Sequence, residues 1–93
     1  MLGKSPSPLA IHFGAALRQL RLEAGLTQEA LGFEAHLQRN YISKLELGEY
    51  QPTLTTLYKL AAALRITPCR LLEITGLHRE NFPHLVSNQA DLA

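Results

Sequence analysis

The sequence predicts an all-α fold of five short helices, and three observations carry that reading. Apolar residues recur at three- and four-residue spacing along most of the chain. Ser7-Pro8 and Thr67-Pro68 both have the form of a helix start, a capping hydroxyl followed by proline at the first helical position. No segment alternates with a strand period over a useful length.

The first helix opens at Ser7-Pro8 and places Phe13, Ala16, Leu17, Leu20 and Ala24 on its inner side, with Gly25 as the stop. Arg18 and Arg21 lie on its flanks. The second runs from Gln28 to Ala35 behind Thr27, a good N-cap, and sets Ala30, Leu31 and Ala35 at helical spacing. A helix of about two turns does not stand alone in water, so this one must pack against another element.

The third helix divides by side when each residue is stepped ~100° about the axis. Tyr41, Ile42 and Leu45 fall on one side, and Arg39, Asn40, Ser43 and Lys44 on the other. The polar side carries a guanidinium fork, an amide, a hydroxyl and an ammonium. Those are the groups that read base edges and phosphates: Arg pairs bidentately with guanine, Asn with adenine, and Lys with guanine or a phosphate oxygen.

Glu49–Pro52 reads as a loop, because Pro52 keeps Gln51 out of helical geometry. Thr53 caps the fourth helix, whose Leu54, Leu57, Leu60, Ala61 and Leu64 form a core stripe rather than a cofactor-binding face. Thr53, Thr55 and the backbone amides at this helix start suit a phosphate, as helix N-termini do. The fifth helix opens at Thr67-Pro68, turns Leu71, Leu72 and Ile74 inward and ends near Gly76.

The third helix and its surroundings resemble the helix-turn-helix of the Cro/phage-repressor family. The resemblance rests on LTQEAL, NYISKLE and the following GEYQPTLTTL, and covers roughly Leu17 to Leu72. It implies a lambda-repressor-like DNA-binding domain in which residues 38–47 lie in the major groove and the start of the second helix meets the backbone. Carried over by position, Gln38, Arg39, Asn40, Ser43 and Lys44 are the candidate base contacts. Gln28 is the candidate phosphate contact, joined by Arg18, Thr53 and Thr55. The resemblance pairs Arg21 with Glu46 inside the domain; a phosphate contact from Arg21 is the competing reading.

Three residues depart from the family pattern. His36 stands where the turn has Gly, and a left-handed residue there suits His less than Gly. Gln38 replaces the usual capping Ser, Thr or Asp. Gly32 replaces Ala, which permits close packing at a helix-propensity cost of roughly 1 kcal/mol.

Composition bounds the reading. At 93 residues, 46% of them hydrophobic, the chain suits one globular domain without room for a second unit bearing a catalytic cleft. Its expected parts are an arm at 1–6, the helical domain at 7–76 and a tail at 77–93. The arm holds Lys4, which either reaches a DNA groove or simply frays. In the tail, Leu77, Phe82, Leu85 and Val86 either join the fifth helix in a dimer interface or pack back on their own subunit. The net charge of +1 is weak for a purely electrostatic binder, but Gln38 to Lys44 holds two cations and no anion. Affinity is therefore expected to rest on dimerisation and base contacts, with few phosphates per subunit.

Other chemistry is not expected. Cys69 is alone, which excludes an intrachain disulfide and favours a reducing compartment; it reads as a small buried hydrophobe, with oxidant sensing as the rival reading. His12, His36, His78 and His84 share no helix face at metal-binding spacing, so no metal and no cofactor is expected. Glycine-rich phosphate loops, paired catalytic carboxylates and nucleophile motifs are missing, which argues against an enzyme. The apolar run Leu60–Leu64 is too short to span a bilayer, and the cytoplasm is the expected location.

The expected function is a small transcriptional regulator. It would bind double-stranded DNA as a homodimer at an inverted-repeat operator, with RNA polymerase the partner it blocks or recruits. Phage repressors and restriction-modification controller proteins are the groups it resembles. Two rivals stay open: an antitoxin that masks a toxin with its tail or fifth helix, and an interaction module whose fold has lost DNA binding.

Overall fold

In the computed structural model, residues 7–76 are described, and their ordered elements are all helical: α1 Pro8–Glu23, α2 Gln28–Ala35, α3 Arg39–Glu46, α4 Leu54–Leu64 and α5 Pro68–Ile74. The arm at 1–6 and the tail at 77–93, with the roles suggested for Lys4, His78, His84 and the tail's apolar residues, lie outside the described residues.

Each helix start has a local cause. The hydroxyls of Ser7, Thr27, Thr53 and Thr67 accept from the backbone N–H groups of Ala10, Ala30, Thr56 and Arg70 at 3.0–3.1 Å. Each bond satisfies an N–H that the helix cannot use. α3 is the exception: Gln38 stands in the extended cap conformation but makes no side-chain cap bond.

The helix ends follow one pattern. Gly25, His36, Gly48 and Arg65 take left-handed backbone conformations after α1 to α4. In each case the next residue donates its N–H five residues back: Leu26 to Arg21, Leu37 to Gly32, Glu49 to Lys44 and Ile66 to Ala61. This Schellman geometry folds the following residue over the helix's last turn. Leu26, Leu37 and Ile66 thereby pack on the core. Glu49 is the charged member of the set.

The core gathers Phe13 and Leu17 of α1, Leu31 and Ala35 of α2, Ile42 and Leu45 of α3, Leu57, Leu60 and Ala61 of α4, and Leu71 of α5. α3 packs against α1 and α2, α4 against α2 and α5, and α5 closes back on α1. Two glycines set the closeness. A Cβ on Gly14 would collide with the backbone carbonyls of Leu45 and Glu46, and one on Gly32 would come within 2.6 Å of the Leu37 carbonyl oxygen. Gly14 lets α1 touch the end of α3, and Gly32 lets the turn tuck against α2.

Four expectations for burial are corrected. Leu54 is 72% exposed and Leu72 48% exposed, while Ala24 and Cys69 also lie on the surface. Leu54 belongs to the first turn of α4, short of the point where α2 and α5 cover the stripe. Leu72 is one ~100° step past the buried Leu71, and Ala24 caps α1 beyond its packed length. Cys69 sits in the first turn of α5, before Leu71 enters the core.

Candidate nucleic-acid interface

The burial of Ile42 and Leu45 orients α3, and everything on its opposite side is left facing solvent. Gln38, Arg39 and Asn40 are exposed there, and Ser43 and Lys44 are half-buried. The five predicted base-reading residues therefore share one accessible side of one helix, over about two turns.

A buried polar network holds the helix at its other end. Arg21 of α1 donates from Nε to Glu46 Oε2 at 2.5 Å and from the second terminal nitrogen to Glu46 Oε1 at 3.1 Å. Its remaining terminal nitrogen donates to the Leu26 carbonyl at 2.8 Å. Gln28 Nε2 donates to Glu46 Oε1 at 3.0 Å. The Arg21 and Glu46 side chains are only 8% and 3% exposed. The hydrogen bond from Glu46 raises the Arg21 pKa above its ordinary value; burial opposes the rise and the attraction of the carboxylate's charge adds to it.

Of the two readings of Arg21, the structure has the ion pair with Glu46: three hydrogen bonds hold its buried guanidinium inside the domain. The network also revises the picture of Gln28. One of its amide N–H bonds is committed to Glu46, so any phosphate contact falls to the second N–H. The consequence is rigidity: one carboxylate on α3 ties together α1 and the first residue of α2.

The corner at α4 changes similarly. The Thr53 hydroxyl accepts from Thr56 N–H and donates to Thr56 Oγ1, both at 3.0 Å, so it is used within the helix start. Thr55 is exposed beside the first backbone amides of α4, and among the described residues no hydrogen bond of its hydroxyl matches the one that engages Thr53. Arg18 is exposed on α1. The Thr56 hydroxyl also lies 3.4 Å from the Tyr41 hydroxyl, which links α4 to α3.

Sequence reasoning missed Glu49 and Tyr50. Lys44 Nζ lies 3.8 Å from Glu49 Oε1 and 5.8 Å from the centre of the Tyr50 ring, which in turn lies tilted against Tyr41 with ring centres 6.3 Å apart. The signal was present in Gly48: a left-handed glycine after a helix places the next residue over the last turn, here over Lys44.

Among the described residues no group of three His, Cys, Asp or Glu side chains could hold a metal, and no helix is long and apolar enough to cross a membrane. The arrangement is a firmly anchored helix presenting hydrogen-bonding groups to solvent.

Comparison with known proteins agrees. The helix-turn-helix family matches residues 17–71, and the chain belongs to this family of DNA-binding transcriptional regulators. Control protein C.BamHI of Bacillus amyloliquefaciens is 41% identical over 66 residues, covering 70% of this chain and 82% of its own. The immunity repressor protein of Bacillus phage phi105 is 32% identical over 81 residues, 86% of this chain and 56% of the repressor. Among solved structures, the restriction-modification controller protein C.AhdI from Aeromonas hydrophila superposes with a TM-score of 0.65 at 42% identity, over 67% of this chain and 94% of that one. These relatives are regulators rather than enzymes.

Proposed function

We propose that this regulator docks α3 in the major groove of a specific operator as a homodimer. One observation carries the docking: Gln38, Arg39, Asn40, Ser43 and Lys44 share the accessible side of a helix whose other side is locked by Ile42, Leu45 and Glu46. Phosphate contacts from Gln28, Thr55, Arg18 and the α4 amides, with Thr53 holding that helix start, would fix the register. Regulation follows from occupying the operator, with RNA polymerase blocked or recruited there. The controller proteins of restriction-modification systems are the relatives this reading favours, since the likeness to C.BamHI and C.AhdI spans most of their lengths.

Support for the dimer comes from the surface. Leu54, Tyr58 and Leu72 of α4 and α5 are large, apolar and exposed once the core is complete. A second copy offers the same strip, and a two-fold axis makes such a patch complementary to itself. Two recognition helices related by that axis read an inverted repeat with half-sites about one duplex turn apart.

Selection of bound duplexes from a random pool tests the whole reading, because it returns the motif, its symmetry and its spacing together. On the selected site Arg39→Ala is expected to cost about 1–3 kcal/mol and to relax preference at one base position. Unchanged affinity and an unchanged selected motif would remove Arg39 from the groove.

A further inference from the structure

The charged residue that follows Gly48 is out of keeping with the other helix ends. At α1, α2 and α4 the equivalent position holds Leu26, Leu37 or Ile66, each packed on the core. That is the apolar contact that usually accompanies this turn. At α3 the position holds Glu49, and its backbone N–H, bonded to the Lys44 carbonyl at 3.0 Å, fixes it over the helix end. Its carboxylate therefore meets Lys44 Nζ at 3.8 Å, on the side of α3 read above as DNA-facing, with the Tyr50 ring on the ammonium as well. Both side chains of the pair are 36% exposed. The pair can open at little cost, since an ion pair at such exposure contributes little to stability.

We propose that Glu49 is a specificity-determining residue that competes with DNA phosphate for Lys44. The inference rests on the docking of α3 proposed above. On a random duplex, binding depends on cation-to-phosphate contacts, and there Glu49 occupies one of the two cations of α3 while adding a negative charge at the interface. On the operator, base-edge contacts from Arg39, Asn40 and Gln38 supply affinity that does not depend on Lys44 reaching a phosphate. The carboxylate thus weakens random binding more than operator binding and widens the ratio between them.

The test uses the full chain with Glu49→Gln, Lys44→Ala and the double variant, on the pool-selected duplex and on a scrambled one, over a range of salt concentrations. Glu49→Gln keeps the side-chain length and the backbone anchor, and a circular dichroism melt checks that it folds as wild type does. Expected is a gain of up to about five-fold on the scrambled duplex, the scale of one exposed ion pair. A smaller gain is expected on the selected duplex. The logarithmic salt slope on scrambled DNA should steepen by about 0.9, the mark of one more phosphate neutralised. In the Lys44→Ala background that gain should fall to the smaller part that comes from removing a negative charge alone. Equal gains on both duplexes, no change in slope, or a gain undiminished by Lys44→Ala would each overturn the inference while leaving the docking of α3 intact. A wild-type chain that binds no duplex would overturn the docking and this inference with it.

Discussion

Glu46 is the residue on which the recognition helix turns. Its carboxylate accepts two hydrogen bonds from Arg21 and one from Gln28 in a site closed to solvent. Removing one partner strands the other's charge, so Glu46→Gln or Arg21→Met alone should cost about 3–5 kcal/mol by urea denaturation. The joint change Arg21→Met with Glu46→Leu should cost much less, because no buried charge is left unpaired. A loss in the double variant equal to the sum of the two single losses would show that the pair is not coupled. The pH dependence has a definite sign. Because the folded Arg21 pKa is raised, its contribution is complete below the unfolded value and is lost only as strong alkali approaches the folded one. The stability difference between wild type and Arg21→Met should therefore be flat from neutral to mildly alkaline pH. Gly14 is a second residue with a sharp prediction. Alanine would gain roughly 1 kcal/mol in helix propensity, but its Cβ would strike the backbone at the end of α3, which cannot rotate aside. Gly14→Ala should therefore be net destabilising by up to a few kcal/mol, the scale of overpacking, read as a lower melting temperature.

At the scale of the element, the helix ends are where this chain departs from the cheapest solution. His36 and Arg65 hold left-handed conformations at φ 58° and 60°. Such a backbone costs an L-residue with a Cβ roughly 1–2 kcal/mol, while glycine escapes that cost and gives some back through the freedom of its unfolded state. His36→Gly should therefore stabilise the turn between α2 and α3 by about 0.5–1 kcal/mol in thermal denaturation. A destabilised variant would mean that the imidazole makes a contact worth more than the backbone cost. Helix starts were legible in the sequence because a capping hydroxyl acts on an amide three residues away: Ser7, Thr27, Thr53 and Thr67 all do so, and Gln38 does not. The exposed polar side of α3 was legible for the same reason, since helical period alone separates Arg39 and Asn40 from the buried Ile42 and Leu45. What failed needed tertiary partners. Leu54 and Leu72 fit an apolar stripe by spacing, yet the neighbouring helices stop short of them. The clasp on Lys44 depends on a turn that brings a loop residue back over the helix.

For the molecule as a whole, a net charge of +1 limits what one subunit can gain from phosphates. In the proposed dimer, two subunits on adjacent half-sites would overcome this by making the second docking event intramolecular, which multiplies affinity without a new contact to DNA. The dimer should then matter more to binding than any single cation, and the exposed strip gives a way to separate the two. Leu54 is 72% exposed, so Leu54→Glu removes nothing from the core and should leave the melting temperature nearly unchanged when both chains are dilute enough to be monomers. In a two-fold contact it would set like charges against each other in an apolar interface. Sedimentation equilibrium at micromolar concentration is expected to show a dimer for the wild type and a monomer for Leu54→Glu. On the selected inverted repeat the variant should bind with a loss far exceeding that of a single phosphate contact, while on an isolated half-site it should match the wild type. A wild-type chain that stays monomeric both free and on DNA would end the dimer reading. A Leu54→Glu variant that still dimerises would move the interface away from α4, since a buried carboxylate facing its own copy has no partner to offset its desolvation.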